Sequence, residues 1–376
     1  MYKVLYNNHD AVLYSQFPER NVSADQILEL RKQPVNSPSL DNSDDVLFGA
    51  TYNSRILMKF DLTDVSSSVA SGKIDASSAK YYLVLKTTTA IALPISYTIQ
   101  AFPVSGAWTN GTGYFNNNPS ITNGTSWKYR TSKLVGSIWA TGSYNPTSTG
   151  SFATIGGGGN WFTSSMASQD FNFSDPDVRM DITSIVGQWL SGSIPNEGLI
   201  LKLPDSLEQD TSEFGTIQFF SRETHTIFVP KLEIQWNSSD ISGISQFNEV
   251  PSEDFVLYAK NLRESYSELE VPKVRLGVRE RYPTPQYSLT SSYLESKRLP
   301  TSSYFQIQDV VTDEVIIPFH SVGTKINCDS NGNYFKFDCN SLMQLRYYKF
   351  VYKVEMDGGD TVRVVDDSHI FKIIRN

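Results

Sequence analysis

The chain has 376 residues, and 39% of them are hydrophobic, which is enough to bury large cores and excludes wholesale disorder. Thirty-two Lys and Arg against forty Asp and Glu give a net charge of −8, so nucleic acid is not expected as the main partner. No apolar run approaches the ~18 residues of a membrane span, and the start has no signal-peptide pattern. We therefore expect that the protein is synthesised in a cytoplasm and does not insert into a membrane.

The first part of the chain is predicted to be β-structure with one short helix. Its strand candidates are short runs rich in β-branched and aromatic residues: 55–62, 80–86, 95–102, 198–203, 216–221 and 230–236. The helix is predicted over 182–190, with Asp181 as its N-cap and Gly192 as its stop signal. Its apolar stripe consists of Ile182, Ile185, Val186 and Trp189. Many short strands separated by turn signals indicate a sandwich or jelly roll.

The second part of the chain has its own strand pattern after a polar segment, 237–252, which we interpret as a linker. Seven strands are predicted: 255–260, 273–278, 304–309, 314–319, 334–337, 347–354 and 369–374. Seven is the strand count of an immunoglobulin-like sandwich, although the Cys–Trp–Cys pattern of antibody domains is missing. The predicted fold class is therefore all-β: a jelly-roll sandwich with one short helix at 1–236, followed by an immunoglobulin-like sandwich at 253–376.

The two cysteines are expected to remain reduced. Cys328 and Cys339 flank Asn331-Gly332, a strong signal for a two-residue hairpin turn. With that turn, Cys328 faces Phe335 and Cys339 faces Thr324, which separates the thiols by roughly 13 Å at ~3.3 Å per residue. That distance exceeds the reach of a disulfide.

No motif for catalysis is found, and we expect a protein that is not an enzyme. The four histidines are scattered, and no zinc-protease, CxxC, Gly-x-Ser-x-Gly or phosphate-loop motif occurs. The glycine run 156–159 lacks the Lys-Ser/Thr of a phosphate loop and is interpreted as a flexible loop.

No cofactor is expected, and the one weak metal candidate is an acidic stretch. Asp41, Asp44 and Asp45 could offer oxygen ligands to calcium at close spacing. The ordinary interpretation, which we favour, is a turn in which Asp and Asn side chains bond to their own backbone.

A charge-depleted stretch rich in aromatic residues is the candidate interaction surface. No Asp or Glu occurs between Asp75 and Asp170. The candidate surface residues are Trp108, Tyr114, Phe115, Trp127, Tyr129, Arg130, Trp139, Trp161 and Phe162. They could form a sugar-stacking platform. They could also form a protein contact, because an aromatic-rich, charge-depleted surface has the composition of interface cores. The alternative, which we favour for Trp108 and Trp127, is that these indoles hold long loops onto the sandwich as local cores.

Six segments in order resemble the DNRLRE-type β-sandwich family over about 45–236. They are RILMKFDL (55–62), AKYYLVL (79–85), AWTNG (107–111), MDITSIVGQWLSG (180–192), NEGLIL (196–201) and the pair FSRE…PKLEI (220–234). The resemblance implies a jelly-roll module, and some modules of that family bind carbohydrate.

A second set of segments is similar to a group of tailed-phage virion proteins. The segments are WKYR (127–130), GGGGNWFT (156–163), FFSRETHTIFVP (219–230), RLGVRERYPT (275–284), TDEVIIPF (312–319) and DDSHIFKIIR (366–375). This resemblance implies a structural part of the virion, in the neck, collar, tail, baseplate or capsid, whose partners are other virion proteins and copies of itself. The alternative is a carbohydrate-binding adhesion module for a host-surface glycan. On the virion hypothesis, Trp127→Ala or Trp161→Ala leaves the fold intact and weakens assembly.

Overall fold

The protein is all-β: of the residues that the structure describes, 41% lie in strands and 8% in helices. The computed structural model describes residues 1–34, 51–139, 157–172, 175–210, 212–283 and 296–375. These residues form two compact units. The N-terminal unit comprises Leu5–Ser67 and Lys80–Glu233, and the C-terminal unit comprises Met1–Val4, Ser68–Ala79 and Ile234–Asn376.

Twelve strands and three helices precede residue 236 in the described part of the chain. The strands are β1 (Tyr2–Tyr6), β2 (His9–Tyr14), β3 (Ile27–Pro34), β4 (Thr51–Lys59), β5 (Lys80–Leu85), β6 (Thr87–Ile91), β7 (Tyr97–Pro103), β8 (Ala167–Phe171), β9 (Val178–Asp181), β10 (Leu199–Lys202), β11 (Gly215–Phe220) and β12 (Lys231–Gln235). The helices are α1 (Thr63–Ala70), α2 (Thr183–Leu190) and α3 (Asp205–Gln209). All six predicted strands are present.

These strands form two sheets. The smaller sheet has the order β1-β12-β5-β9, and the larger one has the order β6-β11-β3-β4-β10-β7-β8, with β2 also paired to β4. The central strand β4 pairs antiparallel with β10, which places Ile56 opposite Leu201 and Leu57 opposite Ile200. Strand β2 lies on the other side of β4, with Ala11 opposite Leu57. The site described below is built on these central strands.

The predicted helix is confirmed as α2. Ile182, Ile185, Val186 and Trp189 are buried. The N-cap is Ile182 and not the predicted Asp181, although the Asp181 carboxylate, one residue earlier, accepts the Thr183 N–H at 2.9 Å. Gly192 has a φ of +75° directly after the helix, and its N–H bonds to the Trp189 carbonyl. Helices α1 and α3 were not predicted.

After residue 236, the described residues contain nine strands where seven were predicted. They are β13 (Phe255–Ala259), β14 (Ser265–Ser267), β15 (Lys273–Glu280), β16 (Ser303–Asp309), β17 (Val315–Ile317), β18 (Asn327–Asp329), β19 (Gly332–Lys336), β20 (Tyr347–Met356) and β21 (Thr361–Ile374). The strands β14 and β18 are additional, and each has only three residues. The nine strands form two sheets, with the strand orders β13-β15-β19-β18 and β14-β21-β20-β16-β17.

Aromatic rings join the two sheets of the C-terminal unit. Phe335 of β19 stacks on Phe305 of β16 at 4.4 Å and meets Phe350 of β20 edge-on at 5.1 Å. Tyr352 of β20 lies 5.9 Å from the same Phe335 ring. Aromatic pairs in such geometries add to the stabilisation from burial, so Phe335 lies at the centre of this core.

The predicted hairpin exists, but its turn lies one position earlier. Strands β18 and β19 pair Asp329 with Gly332 and Cys328 with Asn333, so the loop is Ser330-Asn331 and not Asn331-Gly332. The Asp329 carboxylate accepts the Asn331 N–H at 2.9 Å, and Gly332 has a φ of +102°. Both cysteines are free, as predicted, and both are buried. Cys339 lies in a short 3₁₀ turn and not opposite Thr324.

The segment predicted as a linker, 237–252, lies within the C-terminal unit. Its backbone follows β18: the Cys328 N–H donates to the Asp240 carbonyl, and the Gly243 N–H donates to the Cys328 carbonyl. Tyr334 donates its hydroxyl hydrogen to Asp240 at 2.8 Å. The segment therefore covers the edge of this sheet.

Among the residues described, no helix has the length and apolarity needed to cross a membrane.

Candidate interaction surface

The larger sheet is buried on both faces because a second hydrophobic core covers its outer face. Strand residues alternate between faces, so Leu57 and Ile200 point away from Ile56 and Leu201, yet all four are fully buried. The second core consists of Ala11, Leu13, Leu57, Phe102, Val104, Trp108, Trp127, Trp139, Trp161 and Ile200. Four of its members are tryptophans from the loops that follow β7.

The four tryptophans of the predicted surface are therefore buried, with exposed fractions of 1–8%. Trp108 donates its indole N–H to the Glu197 carbonyl at 2.8 Å, and Trp139 donates to the Ser126 carbonyl at 3.0 Å. Trp161 lies 5.9 Å from the Phe102 ring. This placement corrects the interaction surface: Trp108, Trp127, Trp139 and Trp161 hold the loops onto the sheet, the alternative favoured for Trp108 and Trp127.

The glycine run contributes to this core through close approach. Gly157, Gly158 and Gly159 all have positive φ. A Cβ at Gly157 would lie 2.1 Å from the Trp127 carbonyl oxygen, and one at Gly158 would lie 2.5 Å from Arg55 Nη1. Only glycine fits such contacts, so close packing explains these three glycines better than the predicted flexible loop does.

A buried ionic cluster lies beside the tryptophans. Arg55 of β4 donates Nη2–H to Glu208 Oε2 at 2.7 Å and Nε–H to Oε1 at 3.1 Å. Its Nη1–H donates to the Gly158 carbonyl at 2.7 Å. The Arg55 guanidinium also lies 4.8 Å from the Trp127 ring and 5.2 Å from the Trp161 ring. One side chain thus contacts the sheet, α3 and two loops.

Two buried lysines on neighbouring strands extend the cluster. Lys202 of β10 is fully buried, with its Nζ 3.3 Å from Glu208 Oε2 and paired with Asp205. Lys32 of β3 is fully buried too and pairs with Asp210 just after α3. The acids of the segment 205–210 thus neutralise cations from the three adjacent strands β3, β4 and β10, as buried charges require. The sequence analysis missed this cluster, although a charged residue next to the apolar runs of β4 and β10 was an available signal.

The remaining residues of the predicted surface are more accessible. Tyr114 is 50% exposed, whereas Phe115, Tyr129, Arg130 and Phe162 are half-buried. The Phe115 ring already has neighbours: the guanidinium groups of Arg20 and Arg31 lie 5.6 and 5.5 Å from it, and Tyr14 meets it at 5.0 Å. Phe115 is therefore packed within the protein's own aromatic and cationic side chains.

Among the described residues of these loops, the most exposed apolar side chains belong to a turn that the sequence analysis did not single out. Leu134 is 97% exposed and Val135 70%. The turn is closed by the Val135 N–H, which bonds to the Ser132 carbonyl, and Gly136 has a φ of +73°. The apolar pair between a lysine and a glycine in a polar loop was the signal. We call Leu134, Val135 and the half-exposed Ile138 the apolar tip.

Charged groups next to the apolar tip hold the residues that flank it, Lys128, Lys133 and Trp139, which we call its base. Lys133 and Lys128 pair with Glu19 at 2.6 and 3.0 Å. These two hydrogen bonds hold the pKa of Glu19 below its usual value. The Trp139 N–H donates to the Lys128 carbonyl, which connects the base of the tip to the second core. The tip is thus an exposed apolar feature on a well-bonded base.

A buried carboxyl lies at the start of β2. Asp10 is 1% exposed, and burial raises its pKa to about 6. Its Oδ2 accepts hydrogen bonds from the Arg222 backbone N–H at 2.7 Å and from the Asn7 side chain at 2.8 Å. Asp10 therefore joins the start of β2 to the loop after β11.

The proposed calcium ligands Asp41, Asp44 and Asp45 lie outside the described residues. Across 1–34, 51–139 and the later described ranges, no group of three or more His, Cys, Asp or Glu side chains is arranged to hold a metal ion.

Comparison of the sequence with protein-family models and with curated proteins finds no match to either.

Proposed function

We propose that the chain is a non-enzymatic structural component of a tailed-phage virion that acts through protein–protein contacts with other virion proteins and with copies of itself. The observation that carries this proposal is the apolar tip. Leu134 and Val135 expose most of their surface on a base fixed by two ion pairs and the second core. Exposed apolar residues grouped on an ordered loop favour a protein contact.

The placement of the aromatic residues gives this proposal more support than the carbohydrate-binding alternative. A sugar-stacking platform needs open aromatic faces, whereas the four indoles are buried and the Phe115 ring is surrounded by side chains of the protein. Tyr114 has half of its surface exposed.

The first experiment asks whether the chain is part of a particle. An antiserum to the recombinant protein is used to probe density-gradient-banded phage from the source culture. We expect a stoichiometric signal that stays with the particles through a salt wash, because apolar contacts are not screened by salt. A signal confined to the soluble fraction contradicts the virion proposal, and glycan arrays then test the alternative.

The second experiment asks whether the apolar tip makes the contact. We expect Leu134→Ser/Val135→Ser to fold normally and to reduce incorporation into particles at least tenfold. Leu269→Ser is the matched control, because Leu269 is 70% exposed in the C-terminal unit. Equal incorporation of the tip variant and the control would show that the contact lies elsewhere.

A further inference from the structure

We infer that Arg55 is a positioning residue for the apolar tip. Its guanidinium bonds α3 and the Gly158 carbonyl to the sheet, and these bonds fix the loops that carry the tip. This inference rests on the proposed function for the biological role of the tip. Its physical content, the dependence of loop order on one buried guanidinium, does not depend on any partner.

The first step of the argument is the geometry of Arg55. Its side chain uses both edges of the guanidinium plane, one for the two oxygens of Glu208 and one for the Gly158 carbonyl. The ring faces of Trp127 and Trp161 lie within 4.8 and 5.2 Å. Lysine has neither a planar head nor a second donor edge, so it cannot make this set of contacts.

The second step follows the loop from Arg55 to the tip. The Gly158 N–H bonds to the Trp127 carbonyl at 2.6 Å. Next to Trp127, the Lys128 carbonyl accepts the Trp139 N–H, and the Lys128 side chain binds Glu19 beside Lys133. Arg55 and the base of the tip are therefore connected by consecutive contacts through the loop that contains Trp127.

The third step concerns why a charged group is used. The register that pairs Ile56 with Leu201 brings Arg55 beside Lys202, so two cations share the buried carboxylate of Glu208. Buried ion pairs of this kind contribute little net stability compared with apolar packing, yet their hydrogen bonds require one arrangement. A guanidinium with three directed bonds therefore selects one loop position, which apolar contacts alone do not.

The test is hydrogen exchange of the full chain with the variant Arg55→Lys. We expect exchange to become at least tenfold faster at the amides of Gly158, Trp139 and Ser126, which bond within the loops. The amides of β20 and β21 in the C-terminal unit are expected to keep their wild-type rates. This measurement needs no particle, so its failure and the failure of the virion proposal are distinguishable.

The matched control is Ile56→Ala on the same strand. Ile56 is fully buried and faces away from the cluster, so this change lowers stability without touching any bond of Arg55. A merely structural role of Arg55 predicts the same exchange pattern for both variants, and that result overturns the inference.

Glu208→Gln tests the same link from α3 and decides the question if Arg55→Lys does not fold. Lys32 still pairs with Asp210 in this variant, which keeps the end of α3 on the sheet. Loop amides at least tenfold faster than wild type support the inference, and wild-type loop exchange in Glu208→Gln overturns it.

Discussion

At the scale of single residues, Trp127 connects several parts of the second core. Its carbonyl accepts the Gly158 N–H at 2.6 Å, and its ring lies 4.8 Å from the Arg55 guanidinium. Only 7% of the side chain is exposed. Its neighbours therefore depend on the indole for both packing and the placement of a buried charge.

We therefore expect Trp127→Ala to lower the free energy of unfolding of the N-terminal unit by about 3–5 kcal/mol, because removing a buried indole leaves a cavity. This replaces the expectation that the fold is unaffected. Urea denaturation followed by circular dichroism measures the change. Tyr114→Ala is the control and should change stability by less than about 0.5 kcal/mol, since half of that side chain is exposed. If both changes have equally small effects, the Trp127 side chain lies on the surface and not in a core.

Asp10 gives the N-terminal unit a specific pH dependence. Burial raises its pKa from 3.8 to about 6, opposed by the hydrogen bonds from Arg222 and Asn7. A carboxyl whose pKa is higher in the folded state contributes most stability at low pH. That contribution is lost as the pH rises from about 4 to about 6.

We expect Asp10→Asn, whose amide oxygen still accepts hydrogen bonds, to remove this dependence. Relative to the variant, the wild type should lose roughly 2–3 kcal/mol of unfolding free energy between pH 4 and pH 7. Denaturant titrations of both proteins at the two pH values measure it. Parallel pH profiles would show that the Asp10 carboxyl does not titrate abnormally.

At the scale of elements, every strand predicted from runs of β-branched and aromatic residues is present, but the eight-residue β3 was missed and β21 was predicted only over its last part, 369–374. The helix α2 was also predictable, because its apolar stripe and its stop signal are local in sequence, although its N-cap is Ile182 and not Asp181. The short elements were not predictable for a physical reason. Helix α3 has five residues after Pro204, and it is held by Lys32, Arg55 and Lys202, which are distant in sequence.

The shifted hairpin turn shows the same limit. Asn-Gly alone favours a turn at 331–332, whereas the structure has Ser330-Asn331 in that place. Asp329 decides the register: it accepts the Asn331 N–H and pairs with Lys273 and Arg275. These ion pairs also hold the pKa of Asp329 well below its usual range. Their partners lie more than fifty positions away, so a local pattern could not include them.

The candidate site was predicted in its composition but not in its geometry. An acid-free, aromatic-rich stretch correctly marked the loops after β7 as unusual. Whether an indole on a loop faces water or a sheet depends on where the loop packs in the folded chain. Here Leu57 and Ile200 form an apolar outer face of the sheet, and the tryptophans cover it. The exposed Leu134 and Val135 carry no aromatic signal, and so they were overlooked.

At the scale of the whole molecule, each compact unit has a probe of its own. Cys328 and Cys339 both lie in the C-terminal unit and are buried, and burial raises the pKa of the Cys339 thiol to about 12. Five of the six tryptophans, all but Trp236, lie in the N-terminal unit. Thiol accessibility therefore reports on the C-terminal unit, and tryptophan emission reports mainly on the N-terminal unit.

We expect Trp127→Ala to lower the urea midpoint measured by tryptophan emission while leaving the midpoint of thiol labelling unchanged. The reason is that each unit has its own core, and substitutions without shared partners act independently. Pulse labelling with a thiol reagent at each urea concentration, alongside emission spectra, gives both midpoints from one sample series. Phe335→Leu in the C-terminal core is the reciprocal variant and should shift only the thiol midpoint. If both midpoints move together in either variant, the two units unfold as one cooperative body.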